Sequence, residues 1–179
     1  MATSAHQFTH ARSKRLLFGS LTPADIDRLA AGFCTDSSLF PAGVPGAVEK
    51  GDKACMEQIK QETASGLSLW LTIRQKENEK FAGTAALRHL GTPGLELRLW
   101  LAPEARGLGF GTECVRFLVS LAKKQFQFRY LYFLVEQGNK SGITIGHKLG
   151  FEPAAGYDIR RADGTLLRMV EFRKSSDNC

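Results

Sequence analysis

Arg106-Gly107-Leu108-Gly109-Phe110-Gly111 joins a stretch that alternates as a strand to one that repeats as a helix, and this junction constrains the fold more than any other feature of the chain. Upstream, Leu95, Leu97, Leu99 and Leu101 alternate with Glu96, Arg98 and Trp100, which predicts a strand with one apolar face. Downstream, the spacing predicts a helix from Gly109 to Lys124, with Phe110, Cys114, Leu118 and Leu121 on one stripe. The first N–H groups of such a helix have no partner within it. Glycines let an anion approach that backbone closely, and the helix dipole favours negative charge there. A phosphate or pyrophosphate is the natural guest. A tight turn that merely packs the helix on a sheet is the plainer alternative.

The flanking segments supply the rest of the sheet. Lys14 to Phe18 reads as a first strand, and Thr22-Pro23-Ala24-Asp25 as the start of a helix with Thr at the N-cap, Pro first and an acid in the first turn. Its apolar face would be Ile26, Leu29, Ala30 and Phe33. Residues 35–47 make a loop, and a second helix is expected over Asp52 to Thr63, with Cys55, Met56 and Ile59 inward. Strands follow at 67–75 and 80–90, then the turn Gly91-Thr92-Pro93-Gly94 leads into the Leu95 strand. Tyr130 to Val135 is a buried strand, and Ser141 to Leu149 a short helix closed by Gly150. The last two strands, 156–161 and 165–174, flank the hairpin signal Ala162-Asp163-Gly164. The order β-α-α-β-β-β-α-β-α-β-β describes an α/β fold with a mixed sheet of about seven strands and helices on both faces.

A chain of 179 residues fits one domain, here 1–179 with its core at about 14–174. No apolar run is long enough to span a membrane, and Met1 to His10 lacks the apolar region of an export signal, so a cytoplasmic protein is expected. Cys34, Cys55, Cys114 and Cys179 are scattered, with no tight Cys/His spacing of the kind that holds zinc. The net charge of +6 comes from dispersed basic residues without a recognition-helix pattern, so no nucleic-acid partner is expected. A positive field suits an anionic small molecule, and equally suits solubility.

Three phosphate-binding patterns compete for the glycine turn. A P-loop needs Gly-Lys-Ser/Thr, and Gly111 is followed by Thr112-Glu113, which excludes it. A dinucleotide fingerprint would place its third glycine at Thr112, which weakens that reading and the NAD-dependent oxidoreductase it implies, although Glu136 could serve as its acid. The third is R/Q-x-x-G-x-G/A, matched by Arg106-x-x-Gly109-x-Gly111 at every position. On that match the chain resembles the GNAT acetyltransferases. Leu95 to Glu104 looks like the family's fourth strand with its Pro-Glu. Asn139, Ser141 and Lys148-Leu149-Gly150-Phe151 look like its Asn…Ser…K-L-G-F segment. Arg15-Leu16-Leu17 and the Thr22-Pro23 helix resemble the branch that acetylates ribosomal-protein N-termini.

The resemblance implies acetyl transfer from acetyl-CoA to a primary amine, with no metal. The acceptor it favours is a peptide or protein N-terminus, with small-molecule amines and a non-catalytic CoA-sensing module as alternatives. Arg106, Gly107, Leu108, Gly109, Phe110 and Gly111 would wrap the pyrophosphate, with Thr112 opening the helix. Leu99, Trp100 and Leu101 would meet the pantetheine arm along their strand, and an N–H there would hold the oxyanion. Asn139 would touch the pantetheine, or instead cap the following helix. Glu96 is the candidate general base, with a surface ion pair to Arg98 as its alternative. The family's Tyr has no counterpart between Asn139 and Phe151, which leaves Ser141 as candidate acid or as a helix cap. His147 reads as an exposed helix residue and His89 as a strand end near the cleft.

Overall fold

The computed structural model describes residues 8, 10–22, 25, 51–160 and 166–178, with backbone alone at 51–56 and 58. The strands are β1 (His10–Arg12), β2 (Leu16–Ser20), β3 (Ser68–Gln75), β4 (Phe81–Arg88), β5 (Gly94–Leu101), β6 (Tyr130–Glu136), β7 (Glu152–Arg160) and β8 (Leu166–Ser175). The helices among the described residues are α1 (Gly51–Ala64), α2 (Phe110–Gln125) and α3 (Lys140–Lys148), with short 3-10 turns at Pro103–Ala105 and Ser176–Asn178. This is the expected α/β architecture, with eight strands in the order β1-β2-β3-β4-β5-β6-β8-β7. The eighth is β1, whose three residues, His10, Ala11 and Arg12, are too few to establish an alternation for a sequence reading to find. The first predicted strand, at 14–18, lies two residues later, as β2.

Every neighbouring pair is antiparallel except β5 with β6. β5 runs beside β4 from Leu101 at Gly83 to Glu96 at Arg88, and β6 beside β8 over its full length. Between them, β5 and β6 pair only at Gly94↔Tyr130, Leu95↔Leu131 and Glu96↔Tyr132. The sheet is therefore two well-laddered halves joined by a short parallel seam that opens towards the carboxyl ends of both strands.

The register sorts side chains onto two faces. Phe18, Leu71, Ile73, Leu87, Leu95, Leu97 and Leu131 form the apolar face, and all are buried in one core with Cys114, Leu118 and Ala122 of α2. Phe117 of α2 stacks on Phe18 with ring centroids 3.8 Å apart. The predicted stripe of α2 is thus the one that packs. Burial pushes the Cys114 thiol well up, as for a packed hydrophobe rather than a reactive cysteine. On the opposite face lie Glu96, Arg98 and Trp100, with α1 tied on by Glu62 to Arg88.

The Thr22 cap forms as predicted: its hydroxyl accepts from the Asp25 N–H at 3.3 Å and donates to the Asp25 carboxylate. That carboxylate is buried and also takes Arg74 of β3 at 2.6 Å. Ile26, Leu29, Ala30, Phe33, the loop at 35–47, the side chains of Cys55 and Met56, and the 162–164 turn lie outside the described residues.

Candidate active site

Two helices begin at the open end of the seam. β5 passes through Pro103–Ala105 and the glycine turn into α2, and β6 passes through Gln137–Asn139 into α3. The start of α2 packs on the middle of α3: a Cβ on Gly111 would lie 2.8 Å from Cδ1 of Ile145. Two positive helix ends thus flank one gap, an arrangement suited to an elongated anionic ligand.

The turn has the backbone its glycines permit. Gly107 and Gly109 sit at φ +75 and +79, a region side chains rarely adopt, and Gly109 is the N-cap of α2 without any side-chain cap. Arg106, Gly107, Leu108 and Gly109 are exposed, whereas Phe110 and Gly111 are buried and Thr112 half-buried beneath them. The Arg106 Nε donates to the Leu101 carbonyl at 2.9 Å, so its side chain folds back along the strand end.

Strand parity decides which main-chain groups face the gap. The Ala102 N–H donates to Ala82 across on the β4 side. Backbone groups alternate along a strand, so those of Trp100 and Arg98 also face β4, and those of Leu99 and Leu101 face β6. The ladder to β6 stops at Glu96. Leu99 and Leu101 therefore present main-chain groups where the strands have parted, while Trp100 places its side chain on the Glu96 face.

Glu96 is buried at the last paired position of the seam. Its Oε2 accepts from Arg88 Nη1 and its Oε1 from Arg98 Nε, both at 2.8 Å. Arg88 also forks onto Glu62, with Nε 2.8 Å from Oε2. His89 Nε2 stands 4.0 Å from Glu96 Oε2, and its Nδ1 lies 2.7 Å from the Tyr132 hydroxyl. Burial, then the Glu96 and Glu171 charges, push the Tyr132 phenol up to about 12. The belt continues on β8, where buried Glu171 takes Arg173 and the Tyr157 hydroxyl.

At α3, the Asn139 Oδ1 accepts the Gly142 N–H at 2.9 Å, which makes Asn139 the helix N-cap. Ser141 is exposed in the first turn, and His147 is exposed with its ring edge against Phe172. The cap belongs to Asn139 rather than Ser141.

Two clusters escaped the sequence reading. Arg15 grips Glu113 and the Leu108 carbonyl beside the glycine turn. Partners 98 positions apart share no spacing signal. The Arg88–Glu96 pair was legible in principle, since opposite charges stand symmetrically about the 91–94 turn.

Residues 15–152 match the family model for the acetyltransferase (GNAT) domain. The chain belongs to the GNAT acetyltransferases. It is accordingly an acetyltransferase, and the donor that goes with this family is acetyl-CoA. Among solved structures, a spermidine N-acetyltransferase from Vibrio cholerae in complex with CoA and spermine superposes with a TM-score of 0.78 at 12% identity, over 93% of this chain and 98% of its own. A ribosomal-protein-S5-alanine acetyltransferase from Vibrio fischeri gives 0.74 at 12% identity, over 96% and 98%. A probable acetyltransferase gives 0.73 at 17%, over 95% and 98%. At these identities the likeness is one of fold. No curated protein matches the sequence. Among the described residues no three His, Cys, Asp or Glu side chains gather as a metal site, and no helix is long and apolar enough to cross a membrane.

Proposed function

We propose that this acetyltransferase acetylates a primary amine, preferentially the α-amine of a peptide or protein N-terminus. The observation that carries the reading is the seam: two parallel strands part immediately beyond a buried carboxylate, with two helix N-termini at the open end. The residues fit acetyl-CoA. The 106–111 turn would hold the pyrophosphate with its backbone N–H groups, Arg106 adding charge, and Leu99 and Leu101 would pair with the pantetheine arm. Main-chain N–H groups directed into the gap suit the oxyanion formed on attack.

On the opposite face Glu96 is the candidate base. An ionised carboxylate can accept about four hydrogen bonds, so each oxygen keeps a lone pair beside its arginine. An amine, or one bridging water, can deliver its proton there, and His89 at 4.0 Å leads from Glu96 to solvent. Ser141 stands as the proton donor to the departing thiolate, in competition with water.

Charge pairing supports the acceptor class. Glu62 and Glu96 are held by Arg88 and Arg98, and Glu171 by Arg173. Among the described residues the face is thus balanced in charge, which offers little to a polycation and suits an acceptor with a single ammonium. Thiol release with a panel of amines tests this: free-N-terminal peptides should outrun spermidine, and the same peptides with blocked N-termini should be inert. Faster turnover of spermidine than of every peptide would reverse the assignment. The phosphate placement has its own test. Gly109→Val puts a branched side chain at φ +79 and should abolish CoA binding. A folded variant with unchanged affinity would move the pyrophosphate elsewhere.

A further inference from the structure

We propose that Arg15 is a positioning residue for the cofactor: its guanidinium fixes the Leu108–Gly109 peptide so that the Gly109 N–H faces an incoming phosphate. The proposal rests on the reading of 106–111 as the pyrophosphate cradle.

Arg15 lies in the bend between β1 and β2, remote in sequence from the turn. Its Nη1 donates to the Leu108 carbonyl at 2.8 Å, and its Nε to Glu113 Oε2 at 2.8 Å. Glu113 is itself clamped, because its Oε1 accepts the Arg15 backbone N–H at 2.7 Å and the Ser13 hydroxyl at 2.6 Å. The guanidinium carbon also sits 4.7 Å above the centre of the Phe110 ring. One planar group thereby links the turn, the first aromatic of α2 and a carboxylate in the first turns of that helix.

The consequence follows from peptide geometry. In a trans peptide the carbonyl and the next N–H point in opposite directions. Holding the Leu108 oxygen towards Arg15 turns the Gly109 N–H away from it, on the exposed side of the turn. Gly109, with a second glycine two positions back at 107, would otherwise leave this peptide readier to rotate. Gly109 resists change through its backbone, at φ +79, and not for want of space, since a Cβ there would meet Arg15 Nη2 at an ordinary 3.4 Å. Lysine cannot substitute, because a single ammonium lacks the rigid fork that spans Leu108 and Glu113 together.

The experiment compares wild type, Arg15→Ala, Arg15→Lys and Gly109→Val by calorimetry with CoA, by competition with pantetheine, and by steady-state kinetics. Both Arg15 variants should bind CoA about tenfold more weakly, the scale of one lost charge-assisted contact. Pantetheine, which has no phosphates, should change by less than about twofold. KM for acetyl-CoA should rise while kcat and the KM of the amine stay level. If Arg15→Lys binds CoA like wild type, charge alone suffices and the proposal falls. Equal losses for CoA and pantetheine would reduce Arg15 to a structural residue. If Arg15→Ala fails to fold, Glu113→Gln releases the Nε anchor at constant size and should show a smaller loss confined to CoA. A Gly109→Val variant that keeps CoA affinity would overturn the cradle itself, separately from Arg15.

Discussion

At the scale of single residues, Glu96 shows how one position can be both a structural and a chemical element. Its face was legible from parity with Leu95 and Leu97, and Arg98 as an ion-pair partner was legible too. Arg88 was missed: the spacing about the 91–94 turn offered it in principle, but its place opposite Glu96 is fixed only by the β4–β5 register. Glu96→Gln keeps the shape but removes the proton acceptor, so turnover should fall about 10²–10⁴-fold, the usual worth of general-base assistance. Acetyl-CoA affinity should hold, since Glu96 faces away from the glycine turn's helix. The loss should shrink as pH rises and more of the amine is already free. The Gln variant should also melt lower, because Arg88 and Arg98 lose a charge between them. Near-normal turnover at neutral pH would leave Glu96 as an anchor for the arginines. Asn139 makes the converse point: its carbonyl oxygen is committed to the α3 cap, the alternative its sequence position already offered.

At the scale of elements, α2 was the most legible part of the chain, because its apolar stripe recurs over the 16 residues of the helix and all four predicted residues are buried. β1 was invisible, and with it the bend that delivers Ser13 and Arg15 to α2. Glu113 ties these elements together. Its burial alone would raise its pKa, but the Ser13 hydroxyl, the Arg15 amide and the Arg15 guanidinium outweigh this and hold it below the ordinary carboxylate range. A carboxylate depressed in the folded state adds stability above its unfolded value of about 4.3. That stability is lost as pH falls through the folded value. Glu113→Gln should therefore cost about 1–2 kcal/mol at neutral pH, the lower part of the range for bonds to a charged group because Arg15 is half exposed. Urea titrations should find the gap between wild type and variant closing below about pH 4. A gap independent of pH would mean that shape, not charge, holds the bend on α2.

At the scale of the whole molecule, the decisive feature is the one sequence patterns conveyed least: two half-sheets that share only three residue pairs. Local periodicity announces strands, but where neighbouring strands stop pairing is a property of both partners. β5 is committed to β4 and β6 to β8, so the seam between them is the least laddered part of the sheet. α2 follows the first half and α3 begins the second, which makes a ligand seated on both helix ends a bridge across the seam. Acetyl-CoA should then stabilise the entire fold rather than one loop. At 100 times its Kd, linkage supplies about 2.7 kcal/mol. For a chain of this size that corresponds to a rise of roughly 5–10 °C in Tm. Pantetheine, reaching only the strands, should at equal saturation leave the first-turn amides of α2 and α3, which exchange by local opening, as they are in the free protein. Hydrogen exchange separates the cases: CoA should slow exchange in the first turns of both helices and along the parted ends of β5 and β6. The amides of the exposed β7 edge that exchange by local fraying should not respond, since β7 meets the rest of the sheet through β8 alone. Protection confined to the glycine turn and α2 would mean that the ligand sits on one half only, and that the seam serves the fold but not the cofactor.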